Sequence, residues 1–229
     1  MDSAPRTARA RARIELTREI KEAARRHLAD EGAAALSLRA VARELGMVSS
    51  AVYRYFPSRD DLLTALIVDA YDAVGEAAER ADAMRRRSDL GGRWRAVARA
   101  VRAWAVEHPH EYALVFGSPV PGYRAPDTTI GPATRVPAVL LAILTDGVHS
   151  DALEVPVRPS RRVEAALAPV RQYAPDVPPA LLERGIGAWM QLLGAISLEL
   201  FGHLHNVVEE PEALFEHLMA AQAERLGIR

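Results

Sequence analysis

Ser49, Ser50, Tyr53 and Tyr55 lie in one short run, Ser49-Ser-Ala-Val-Tyr-Arg-Tyr-Phe56, whose apolar members are Ala51, Val52 and Phe56. On a helix, the apolar three turn inward and the hydroxyls and phenols turn outward. Such groups hydrogen-bond phosphate oxygens and base edges and offer apolar atoms to thymine methyls. That is recognition chemistry rather than bond-making chemistry. A basic arm of Arg6, Arg9, Arg11 and Arg13 precedes it. The arm suits a phosphate track or a minor groove, although a solvated tail explains the same charges.

Bond-making candidates are sparse. Glu199 and His203 are four residues apart on a predicted helix. With His205, or with His108 and His110, they could hold a metal. A carboxylate–imidazole hydrogen bond lining a pocket or interface is the simpler reading, because no H-E-x-x-H or tight three-ligand spacing is present. Trp104, Tyr112, Phe116 and Trp189 offer apolar walls for a small molecule, with Gln191, Glu199 and His203 as polar anchors. That set suits a mostly apolar effector with one or two hydrogen-bonding groups. Aromatics at helical spacing also build plain core. There is no G-x-S-x-G elbow, no phosphate-binding Walker motif and no dinucleotide fingerprint. Gly185-Ile-Gly187 lacks the third glycine of that fingerprint. The absence of cysteine excludes disulfides, thiolate metal sites and cysteine nucleophiles. The sequence therefore reads as a non-enzyme with no cofactor and no metal.

The elements that must position these residues are helices. Leu16, Ile20, Ala24 and Leu28 recur every four residues and predict a helix over Ile14–Glu31, stopped by Gly32. The segment before it, up to Arg13, reads as a flexible arm. Ser37 predicts the cap of a short helix, Leu38–Leu45, ended by Gly46. A third short helix follows over about Ser49–Tyr55. Two short helices meeting at a glycine turn form a helix-turn-helix, whose second helix fits the major groove. Pro57 breaks the chain, and Ser58-Arg-Asp-Asp61 resembles a capping box for a long helix carrying Leu63, Leu66, Ile67, Ala70, Tyr71, Val74 and Ala78. Arg85–Gly92 predicts a turn. Trp94, Val97, Val101 and Trp104 then mark a helix that stops near His108, before Pro109. Twelve of the 15 prolines lie in 109–179, so short helices and loops are expected there, with one longer helix near Val136–Val148. Pro178-Pro179 opens a helix to about Leu204, and Pro211 opens the last. The expected fold class is all-α. Residues 1–60 form an N-terminal helix-turn-helix domain, and 61–229 form a C-terminal helical domain for dimerisation and effector binding.

The 229 residues are 49% hydrophobic and 26% charged, an ordinary folded balance. The net charge of −1 hides an asymmetry. Residues 1–59 hold 12 basic and 7 acidic residues, a net of +5, while 60–229 hold 17 and 23, a net of −6. A basic head on an acidic body suggests that the head meets a polyanion. Gly185–Leu204 has transmembrane length, but Gln191, Ser197, Glu199 and His203 interrupt it, so a buried soluble helix is expected and no membrane partner. The start has no apolar signal region, which predicts a cytoplasmic protein.

From Ser37 through Gly46, Tyr53-x-x-Phe56 and Ser58-Arg-Asp-x-Leu62, the sequence resembles the TetR family of bacterial transcriptional repressors, over about residues 14–65. The resemblance implies an all-α homodimer. Its N-terminal three-helix unit binds double-stranded operator DNA, and its C-terminal domain dimerises and often binds an inducer. Carried over by position, Ser37, Ser49, Ser50, Tyr53, Tyr55 and Arg59 are the DNA contacts, and Arg39 joins them. Val48 replaces the family's usual serine, Arg59 its usual lysine and Tyr55 a common histidine. The C-terminal half resembles the type named for a Trp-His-Gly pattern, through His108-Pro-His-Glu-Tyr112, Phe116, Trp189, Leu193-Gly194 and Glu199-Leu-Phe-Gly-His203, with Leu193 in place of the histidine. The expectation is a ligand-responsive repressor on a near-palindromic operator. Its helices at 178–204 and 211–226 pair with their twins through Gly187, Gly194 and Gly202. A DNA-binding regulator without an inducer and an all-α metal-dependent enzyme are the alternatives.

Overall fold

The computed structural model describes residues 8–154 and 159–228. Among them, every regular element is a helix. They divide into two compact units: the described residues up to Ala70 together with His110–Ile130, and Tyr71–Pro109 together with the described residues from Gly131 onward.

In the first unit, α1 spans Ala8–Glu31 and buries Ile20, Ala23, Ala24 and Leu28. The expected flexible arm is therefore corrected: Arg9, Arg11 and Arg13 are helical, because alanine and arginine extend a helix without needing an apolar partner. Arg6 lies outside the described residues. Gly32, at φ 79°, donates its N–H to the Leu28 carbonyl at 3.1 Å and ends the helix where expected. A short 3-10 turn, Ala33–Ala35, leads to α2, Leu38–Glu44. Leu38, Val41 and Ala42 are its buried face. Ser37 occupies the cap position, but its side chain makes no capping hydrogen bond.

The helix α2 ends in a Schellman turn. Met47 N–H donates to Ala42 O at 2.8 Å and Gly46 N–H to Arg43 O at 3.1 Å, with Gly46 at φ 66°. The next helix, α3, covers Ser49–Tyr53, two residues shorter than expected. Tyr55 N–H and Phe56 N–H both turn back to the Val52 carbonyl. At the start of α4, Arg59–Ala83, Ser58 Oγ accepts from Asp61 N–H at 3.1 Å and donates to Asp61 Oδ2 at 2.6 Å. The cap is thus made as the sequence predicts. Leu62, Leu63, Leu66, Ile67 and Ala70 are buried.

In the second unit, α5 spans Leu90–Glu107 and begins inside the predicted turn, because the Asp89 carboxylate accepts Gly92 N–H at 2.8 Å and nucleates it there. Trp94, Val97, Val101 and Trp104 are buried along it. From His110 on, α6 (Pro109–Phe116) belongs to the first unit; later in the chain the short helices α7 (Ile130–Ala133), α9 (Arg161–Ala166) and α10 (Ala168–Arg171) precede and follow the longer α8, Arg135–His149. The last two are α11, Pro179–Leu200, and α12, Pro211–Arg225. Trp94 Nε1–H donates to Met219 O at 2.8 Å, fastening α5 to α12 in the core. The expected extension of α11 to Leu204 is corrected. Gly202, at φ 79°, closes a second Schellman turn in which His203 N–H donates to Leu198 O. Among the described residues, no single helix is long and apolar enough to cross a membrane.

Candidate nucleic-acid interface

The recognition elements are built from small buried anchors and a polar exterior. Val52 and Phe56 are buried, and α3 turns Ser50 and Tyr53 outward, with Tyr53 42% exposed. Ser49 is half-buried. Val48 stands at the N-cap of α3 and is 71% exposed. Its side chain cannot cap, and the first turn closes through Ala51 N–H on Val48 O at 2.9 Å. Arg39, Arg43 and Arg54 are exposed and have no ion-pair partner among the described residues.

Tyr55 is half-buried beneath the Arg13 guanidinium, which lies 5.1 Å from its ring centroid. This cation–π contact fixes α1 against the end of α3. Arg59 reaches back across its unit. Its Nη2 donates to Ala33 O at 2.9 Å and Ala34 O at 3.2 Å, and its Nε donates to Leu36 O at 3.1 Å. One arginine thereby satisfies carbonyls of the turn before α2, which α-helical bonding leaves open. Asp69 on α4 accepts from Lys21 Nζ at 2.8 Å and Arg25 Nη2 at 2.7 Å, and Arg25 also meets Glu111 on α6 at 3.3 Å. Sequence reasoning found neither this cluster nor the Arg13–Tyr55 contact, because each joins residues more than forty positions apart.

The arrangement is a helix-turn-helix with a free polar face, held by α1 and α4. Residues 20–66 match the family model of bacterial regulatory proteins of the tetR family, and residues 94–222 match that of the tetracyclin repressor-like C-terminal domain. The chain belongs to the TetR family. An HTH-type transcriptional regulator of Mycobacterium bovis is 41% identical over 214 residues, covering 90% of this chain and 89% of the relative. A Mycobacterium tuberculosis regulator matches equally well. The crystal structure of a protein described as regulatory, SCO4313, shares 37% identity and a TM-score of 0.76 over 96% of this chain and 98% of that one. The TetR-family regulator PfmR of Thermus thermophilus has the same fold, with a TM-score of 0.54, 20% identity and coverage of 90% and 96%. The protein is thus a TetR-family HTH transcriptional regulator.

The second unit of this TetR-family chain is organised by arginines that the sequence reading passed over. Arg93 on α5 is only 3% exposed. Its Nε and Nη2 donate to Asp82 at 2.7 and 3.1 Å, and its Nη1 donates to Asp146 on α8 at 2.7 Å. Burial alone would lower the Arg93 pKa, but the hydrogen bonds it donates to Asp82 and Asp146 outweigh it and hold the guanidinium charged. Burial likewise works to raise the Asp146 carboxyl, and the bonds from Arg93 and Arg87 overcome it and leave it below the usual carboxylate range. Arg135 on α8 bonds Glu79 through Nε and Nη2 and Asp72 through Nη1, all within 2.9 Å. That bond depresses the Glu79 carboxyl. A Cβ at Gly75 would lie 2.7 Å from Arg135 Cβ, so glycine is the residue that lets Arg135 cross α4. The signal for it is this glycine in the middle of an otherwise unbroken amphipathic helix.

The effector candidates are dispersed. Tyr112 is fully buried in the first unit, with the Phe116 ring 5.1 Å from its own. Trp104, in the second unit, is buried with His108 at 5.7 Å. Trp189 and Gln191 are half-buried on α11. Glu199 accepts a two-pronged bond from Arg102, Nε at 2.9 Å and Nη2 at 2.7 Å. His203 lies beyond the end of α11, so the predicted shared helix face with Glu199 is not formed. No group of three or more His, Cys, Asp or Glu among the described residues is placed to hold a metal.

Proposed function

We propose that this TetR-family protein is a ligand-responsive repressor that binds a near-palindromic operator as a homodimer in the cytoplasm. Residues 1–60 serve as its DNA-binding domain, and 61–229 serve as its dimerisation and effector domain. The observation that carries the reading is the exterior of α2 and α3, where Arg39, Ser50 and Tyr53 are exposed on helices anchored by Val41, Val52 and Phe56. Ser37, Ser49 and Tyr55 flank that face. Arg59 completes the set through Nη1, which is not bonded to the turn and lies 3.5 Å from Asp60 Oδ1, an exposed carboxylate that it must leave for a phosphate. Serine and tyrosine hydroxyls with arginine forks supply both phosphate positioning and base-edge readout.

A second copy is supported by α11. Ile186, Met190 and Leu198 are exposed along it, and open space surrounds Gly187 and Gly194. An apolar, glycine-relieved helix face is what a symmetric helical interface requires. Trp104, Trp189, Gln191, Glu199 and His203, with Tyr112 and Phe116, remain the proposed effector contacts. The test is selection from a random duplex library with the full chain. Enrichment of a near-palindrome that the protein binds as a dimer, with affinity falling steeply with salt, is expected. Enrichment of no sequence, or binding by monomers to an asymmetric site, overturns the proposal.

A further inference from the structure

The second unit contains a solvent-open cavity of about 630 Å³ that none of the seven effector candidates lines. One face of α8 forms much of it: counted from its cap, Thr134, the residues Pro137, Ala138, Leu141, Ala142, Thr145 and Asp146 recur as pairs three and four, seven and eight, and eleven and twelve positions on. Pro169 and Val170 of α10, Tyr173 just beyond it, and Arg87 complete the lining. The volume lies within the range of drug-sized sites, and the walls between the polar ends are apolar.

The polar groups decide what such a molecule must carry. The hydroxyls of Thr134 and Thr145 already donate to Gly131 O and Leu141 O. Both oxygens of Asp146 are engaged, one by Arg87 at 2.6 Å and the other by Arg93. Arg93 is buried and clamped by Asp82, so it cannot turn toward a ligand. Arg87 differs: its side chain is 80% exposed, and it gives one nitrogen to Asp146. A guanidinium has five N–H donors in a planar fork that matches a carboxylate. The free donors of the lining are therefore one cation, Arg87, and one neutral hydroxyl, that of the exposed Tyr173.

We propose that the cavity binds a small amphipathic carboxylate, its apolar body against α8 and α10 and its carboxylate on Arg87. Occupancy draws Arg87 from Asp146, which then keeps Arg93 alone as its arginine partner. Arg93 holds Asp82 in the last turn of α4, the helix that begins at Arg59, so the ligand biases the linkage of α8, α5 and α4. This regulatory consequence rests on the ligand-responsive reading, but the binding site does not. A ligand shifts the protein between states only by the difference in its affinity for them.

The experiment titrates 1-naphthylacetate, and its neutral isostere 1-naphthylacetamide, into the full-length protein by calorimetry. The wild type should bind the acid at least tenfold more tightly than the amide. Arg87→Gln should bring the two together, and Ala142→Trp, which fills the cavity, should abolish both while leaving the helical content intact. Equal wild-type affinities, unchanged binding by Ala142→Trp, or no saturable binding at millimolar acid overturns the site. A change of oligomeric state in Ala142→Trp without loss of acid binding assigns the cavity to a second copy and also overturns it. Operator affinity separates the two ideas. Acid binding at this site without weaker operator binding sustains the site and contradicts effector control through it. Operator release by another effector in Ala142→Trp sustains the ligand-responsive reading without this site.

Discussion

The arginines of α2 and of the cap of α3 and the arginines of α5 are the same side chain put to opposite uses. Arg39, Arg43 and Arg54 stand exposed without an ion-pair partner among the described residues. On α5, Arg93 is held by Asp82 and Asp146, Arg99 by Glu216 at 2.5 and 2.6 Å, and Arg102 by Glu199. Charge left open at a surface attracts a polyanion, whereas charge closed by carboxylates fixes helices to each other. A bare count of basic residues does not convey this: within residues 1–59, Arg39, Arg43 and Arg54 are open, whereas Lys21 and Arg25 are closed on Asp69 and Arg26 on Glu44.

The sharpest way to break this contrast is to truncate one arginine of each kind. Arg93→Ala leaves two carboxylates facing a void and should cost about 3–5 kcal/mol, measured by urea denaturation. Arg39→Ala should change stability by no more than about 0.5 kcal/mol. Equal costs would erase the distinction. Gly75→Ala tests the second arginine clamp: the added methyl meets Arg135, and crowding of this kind costs roughly 1–3 kcal/mol. A Gly75→Ala protein as stable as the wild type would show that Arg135 swings clear and that its bonds to α4 are dispensable.

The clamp also carries a pH signature. The folded-state pKa of Asp146 is depressed, so its contribution is complete above the ordinary aspartate value and disappears as pH falls below about 4. Asp146→Asn should be less stable at neutral pH and lose less of its stability on acidification. A wild-type stability curve parallel to that of Asp146→Asn between pH 5 and pH 2 contradicts the assignment. A smaller loss than at either clamp is expected at the other pole, where Arg13→Ala removes a half-exposed cation–π contact worth roughly 0.5–1 kcal/mol. A melting temperature shift in that direction, without loss of helix, is the expected reading.

What was legible in the sequence was local. Gly32, Gly46, Ser58, Pro109, Pro179 and Pro211 set helix ends through their own backbone preferences, and the structure puts helix ends at all of them. The apolar period of α1 and α4 marked their buried faces for the same reason. Ala8–Arg13 carries no such mark, because a helix end that buries nothing has no amphipathic period. Gly202 carried the stop of α11, but the apolar run around it masked the signal. Of the recognition residues, the outward set on α3 followed from the positions of Val52 and Phe56. The bonds of Arg59 to Ala33, Ala34 and Leu36 did not, since a side chain that reaches 23 to 26 residues back leaves no periodic trace.

The central claim, that the open arginines of the helix-turn-helix and not the closed ones of the body meet DNA, is tested most directly by the salt dependence of operator binding. The slope of log K against log salt should fall in magnitude by about 0.9 for each copy of Arg39 that is lost in Arg39→Gln. Arg99→Gln should leave that slope at the wild-type value. Equal slopes for wild type and Arg39→Gln, or a reduced slope for Arg99→Gln, would contradict the account.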